Sequence, residues 1–122
     1  MTKVMIVDDA AFMRNMLKNI INEGGFRVVC EAANGLEAIH LFAKHHPDIV
    51  MMDITMPDMD GVTAVTEIIR LHPTARIIMC SAMGQQKTVL DAIRAGAKDF
   101  IVKPFQKDRV LQSVLNVLKQ VR

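Results

Sequence analysis

Short apolar runs rich in Val, Ile and Met recur along the chain at Val4 to Val7, Phe26 to Cys30, Ile49 to Met52, Ile77 to Cys80 and Phe100 to Val102. Each is strand-length, and the segments between them carry helical periodicity. Phe12, Met13, Met16, Leu17, Ile20 and Ile21 form one stripe; Val110, Leu111, Val114, Leu115, Leu118 and Val121 form another, on a helix from about Gln106 to Gln120. Gly24-Gly25, Pro47, Pro73 and Gly96 fall where each helix should stop before the next strand. Five strands alternating with five helices predict an α/β fold: a doubly wound, five-stranded parallel sheet covered on both faces, which is why the strands read as continuous apolar runs. For a chain of 122 residues the open flavodoxin-like order 2-1-3-4-5 is expected, with right-handed crossovers. The unequal spacing of the runs argues against a solenoid repeat.

Composition narrows the picture. A chain of this length holds one domain, 1–122, and no output domain is expected. With 51% hydrophobic and 23% charged residues it can bury a sizeable core, so disorder is excluded as a reading. The apolar runs are far too short to span a bilayer, and Asp8-Asp9 arrive too early for a signal peptide. A cytoplasmic location without membrane insertion is expected. A net charge of +2, with no Trp or Tyr, gives no sign of nucleic-acid binding. Cys30 and Cys80 read as two buried thiols, because the second and fourth strands of such a sheet lie about 14 Å apart.

Ligands of open α/β sheets bind beyond the carboxyl ends of the strands. There the sequence places Asp8 and Asp9 after the first strand, Asp53 after the third, Ser81 after the fourth and Lys103-Pro104 after the fifth. Three crowded carboxylates repel by about 4 kcal/mol per pair at about 4 Å, so a cation has to hold them. Lys103 supplies one charge, and Mg²⁺, a hard ion that tolerates few carboxylates and keeps water and phosphate oxygens, suits the remainder. An aspartate beside a metal and a lysine can attack an electrophilic phosphorus and form an aspartyl phosphate. Ser81 could then donate a hydrogen bond to the phosphoryl group.

The ordered set Val7-Asp8-Asp9, Asp53-Ile54-Thr55-Met56-Pro57 with Gly61, Cys80-Ser81-Ala82, Gly96-Ala97 and Lys103-Pro104-Phe105 resembles the receiver domain of bacterial two-component response regulators over nearly the whole chain, and within that family the stand-alone chemotaxis regulators. The resemblance implies that Asp53 is the phosphoacceptor and that Asp8, Asp9, Asp53 and the Thr55 main-chain carbonyl hold Mg²⁺. Lys103 would contact the phosphoryl group, Ser81 and Phe100 would form the switch pair, and the Lys103-Pro104 peptide would be cis. Phe100 stands where Tyr is frequent and Ser81 where Thr is commoner. Thr55 and Met83 occupy the two positions that tune self-hydrolysis. The implied partners are a CheA-like histidine kinase, a flagellar motor switch protein and a separate phosphatase, with the chain itself a monomer.

Other readings are weighed on the same residues. A single-domain phosphorelay intermediate would share all these features. An Asp-nucleophile metal-dependent phosphatase would carry a second Asp where Thr55 stands, and a flavin mononucleotide carrier would not place Asp8-Asp9 in its phosphate loop. Asp58, Asp60, Gly61 and Glu67 fit part of a calcium loop whose first position is occupied by Met56. His40, His45, His46 and His72 read as solvated surface groups, as do Lys44, Lys87, Lys98 and Lys107. Met56, Met59 and Met83 fall in loops on the active rim, where thioethers can pack locally or line a docking surface.

Overall fold

The computed structural model describes residues 1–120, so Val121 of the last stripe lies outside the described residues. Five strands and five helices alternate: β1 (Lys3–Val7), α1 (Ala11–Glu23), β2 (Arg27–Ala32), α2 (Gly35–His45), β3 (Ile49–Asp53), α3 (Gly61–Leu71), β4 (Ile77–Ser81), α4 (Gln86–Ala95), β5 (Asp99–Val102) and α5 (Lys107–Lys119). The sheet order is β2-β1-β3-β4-β5, and every neighbouring pair is parallel. This is the doubly wound order that the sequence predicts.

Alternation along the strands sorts the core into two layers. Met5, Val7, Val50, Met52, Ile77 and Met79 face α2, α3 and α4. Val4, Ile6, Met51, Ile78, Cys80 and Ile101 face α1 and α5. Every residue of β3 and β4 is buried, which accounts for their unbroken apolar pattern.

Several residues depart from the sequence reading. Phe12 is 70% exposed; at about 100° per residue it lies roughly 140° around α1 from buried Leu17, so it points away from the sheet. Leu115 of α5 is exposed for the same reason, relative to Val110. Ser113 takes a core place on that helix instead, its hydroxyl donating to the Asp99 carboxylate at 2.6 Å. Cys30, on the edge strand β2, is only half-buried, whereas Cys80 is buried, and both are free. Burial pushes the Cys80 thiol far above its ordinary pKa, so it stays protonated. His46 and His72 are not simply solvated: with Phe42 they form an aromatic cluster at ring separations of 4.7 to 6.1 Å. His46 also caps α2 with a left-handed φ of 46°. Asp60 caps α3 by accepting from the Thr63 main-chain N–H at 2.8 Å, the structural use of a residue that fits a calcium loop in sequence.

Candidate functional site

The parallel register aligns the carboxyl ends of β1, β3, β4 and β5. Val7 pairs with Met52, so Asp8 and Asp53 come side by side; Asp53 pairs with Cys80, and Ser81 pairs with Val102. Main-chain bonds carry this alignment past the strand ends, with Ile54 N–H donating to Cys80 O at 3.1 Å and Lys103 N–H to Ser81 O at 2.7 Å. The Lys103-Pro104 peptide is cis.

Lys103 Nζ donates to Asp8 Oδ2 at 3.0 Å and to Asp53 Oδ1 at 3.2 Å, bridging two buried carboxylates. Asp8 Oδ1 accepts from Ala10 N–H at 2.9 Å, and its main-chain carbonyl accepts from Arg14 at 2.7 Å. Asp9 is exposed and has no protein donor among the described residues. One carboxylate oxygen from each of Asp8, Asp9 and Asp53 lies within 4.8 Å of the others. Three formal negative charges thus face one lysine. An all-oxygen donor set with charge left over is what a Mg²⁺ site requires, so the residues fit that ion.

Burial, and next the neighbouring Asp8 charge, push the Asp53 carboxyl above its ordinary pKa, against the pull of Lys103. Desolvation alone would lower the Lys103 pKa, yet its hydrogen bonds and charges from Asp8 and Asp53 raise it overall. The site therefore holds a fixed ammonium against a poorly solvated carboxylate, an arrangement suited to attack on an electrophile that brings its own counter-cation.

The close approach around Asp53 is set by Gly61. Its N–H donates to Ile54 O at 2.7 Å, and a Cβ at this position would overlap the Asp53 main-chain oxygen. Ser81 is buried, and its hydroxyl makes no hydrogen bond among the described residues, which leaves it free to donate to a group arriving on Asp53. Thr55 is exposed, its hydroxyl accepting from Gln85 Nε2 at 2.8 Å. Met83 is 82% exposed and Phe100 39% exposed. Both line an apolar groove of about 670 Å³ between α4 and β5, with Val89, Leu90 and Ile93. Phe100 is thus at the surface here, not in the strand core. Met56, by contrast, is buried in the α2–α3 side of the core.

Asp8, Asp9, Asp53, Thr55, Ser81, Met83 and Lys103-Pro104 fall on or beside this rim, whereas Phe100 lies back along β5 in the α4–β5 groove. Sequence reading missed Arg14, whose helical placement gives no hint that it reaches the Asp8 carbonyl. It also missed Gln85, an ordinary polar residue at the start of a helix whose role appears only once two loops are seen together.

The model of the response regulator receiver domain family matches residues 4–115. The chain is 61% identical to the chemotaxis protein CheY of Bacillus subtilis, over 95% of this chain and 97% of that protein. It is 58% identical to CheY of Thermotoga maritima, over 96% and 98%. Among solved structures, CheY in the CheX-CheY-BeF3-Mg complex from Borrelia burgdorferi superposes with a TM-score of 0.93 at 42% identity, covering 98% of this chain and 90% of that one.

Proposed function

Because the chain belongs to the response regulator receiver-domain family, we propose that it is a phosphorylation-activated signalling switch of chemotaxis. The receiver domain accounts for residues 4–115. Support for the stand-alone reading comes from CheY relatives that it spans almost end to end. The observation that carries the chemistry is the Lys103 ammonium shared between Asp8 and Asp53 at 3.0 and 3.2 Å.

In this reading an Asp53 carboxylate oxygen attacks the phosphorus of a phosphohistidine on a CheA-like kinase. The P–O bond to Asp53 forms as the P–N bond breaks, and the electron pair leaves with the imidazole, which takes up a proton. Asp8, Asp9, Asp53 and the Thr55 carbonyl would hold Mg²⁺, which when bound neutralises charge on the transferring phosphoryl oxygens. Lys103, already beside Asp53, pairs with one phosphoryl oxygen, and the unbonded Ser81 hydroxyl donates to another. The inward movement of Ser81 opens space that Phe100 enters from the groove, altering the α4–β5–α5 face. Through that face the protein would bind a flagellar motor switch protein. The chain catalyses only its own phosphorylation and dephosphorylation, and a separate phosphatase resets it; the precedent for a separate partner is CheX on the Borrelia relative.

Intact-protein mass spectrometry with Mg²⁺ and a small phosphodonor tests the assignment. One phosphoryl group should be gained, and Asp53→Asn should abolish the gain. Full labelling of Asp53→Asn would move the nucleophile elsewhere and overturn the reading.

A further inference from the structure

Gln85 precedes α4 in the N-cap position, but its side chain makes no capping bond to that helix. Its carboxamide is committed elsewhere. Oε1 accepts from the Ala82 main-chain N–H at 2.7 Å, and Nε2 donates to Thr55 Oγ1 at 2.8 Å. One end therefore holds the residue after Ser81, and the other holds the second residue after Asp53. Among the described residues no other side chain-to-side chain hydrogen bond joins the β3–α3 loop to the β4–α4 loop. The backbone makes room for this reach. Gly84 adopts a φ of +90° with nothing near its missing Cβ, which folds the 82–85 turn back on itself at a conformation costly for any other residue.

The consequence follows from what has to move. If donation by Ser81 to a phosphoryl oxygen on Asp53 draws the chain at Ser81 and Ala82 toward β3, the Ala82 N–H leaves Gln85 Oε1. Uncapped first-turn N–H groups on α4 and an unpreferred residue at its cap indicate that the local helix energy is not what Gln85 serves. We propose that Gln85 is a clamp that holds the rim in its unphosphorylated arrangement and that phosphorylation of Asp53 has to open. This rests on Asp53 being the phosphoacceptor. A bond made only in the resting state biases the equilibrium against the active one, so its removal strengthens every ligand that selects the active state.

Beryllofluoride with Mg²⁺, a phosphoryl mimic, is the probe, titrated into the full chain and followed by main-chain amide resonances. Gln85→Ala should bind it roughly fivefold more tightly than the parent, the scale of one exposed hydrogen bond. The Ala82 amide of the unliganded variant should exchange with solvent faster than in the parent. Thr55→Val, which removes the other anchor, should also tighten binding, and the double variant should gain no more than Gln85→Ala alone, as for two ends of one device. Unchanged or weaker binding by Gln85→Ala, additive gains in the double variant, or an Ala82 amide equally protected without Gln85 would each overturn the clamp. If Gln85→Ala does not fold, Gln85→Met, which keeps the length and loses both bonds, carries the same expectations. Asp53→Asn is the separate control: binding of the probe by that variant would refute the phosphoacceptor assignment whatever Gln85 does.

Discussion

Replacing Lys103 by Met keeps the aliphatic stem and deletes the charge that two buried carboxylates share. In an effective dielectric of about 20, each of its contacts at 3.0 and 3.2 Å is worth about 5 kcal/mol of gross attraction, and carboxylates within 4.8 Å repel by about 3.5 kcal/mol. Desolvation of the lysine cancels much of the gross gain. The net cost of removing one partner from a buried ion pair is about 3 to 5 kcal/mol, which lowers the melting temperature of a domain this size by roughly 12 to 20 °C. The cost has a pH signature. Without the lysine the folded-state pKa of Asp53 rises further above the unfolded value near 3.8. Such a raised carboxyl contributes no penalty below the unfolded pKa, where it is protonated in both states. The penalty builds as pH climbs through the folded pKa and is complete above it. Thermal unfolding of parent and Lys103→Met should therefore converge near pH 4 and diverge by pH 7, with Mg²⁺ restoring part of the loss. Adding Asp53→Asn to Lys103→Met should restore most of it. A cost equal at both pH values, or untouched by Asp53→Asn, would refute the electrostatic account and leave only lost packing.

Asp53→Asn alone, without Mg²⁺, should raise the melting temperature by about 4 °C, the shift that 1 kcal/mol produces here. Burial and the Asp8 charge raise the Asp53 pKa, so the gain should be present at pH 7 and vanish below the unfolded pKa. Gly61→Ala should destabilise by about 2 to 4 kcal/mol in urea unfolding, because the new Cβ meets the Asp53 backbone and not a movable side chain; phosphorylation should slow with it. Self-dephosphorylation should be slow, since exposed Met83 and the short Thr55 hydroxyl orient a water poorly. A Thr55→Asn, Met83→Glu variant should decay faster in a phosphate time course, and equal decay would remove that argument.

The sheet and its rim were legible because burial on both faces forces β3 and β4 to be wholly apolar up to the residue where chemistry begins. Asp53 and Ser81 prove to be the last residues of those strands, one place beyond the apolar runs' ends. The helices were less legible. Hydrophobic spacing admitted Phe12 and Leu115, which face outward, and passed over Ser113, whose burial is supported by a partner on β5 that no periodicity reveals. Edge strand β2 was displaced by one residue at its start because its half-buried Val28 to Glu31 carry a weaker apolar signal. Gln85 was invisible for another reason: its meaning lies in two partners, one of them thirty residues away.

The links from Ile54 to Cys80 and from Lys103 to Ser81 are made by peptide groups, and no substitution other than proline removes their donors. The connection from the acidic rim through β4 to β5 is thus inherited with the backbone. The outward residues of the flanking helices, among them Leu90, Ile93 and Leu115, carry no such duty. A lineage can rewrite that lettering to address a new recipient while the message travels along the same wire.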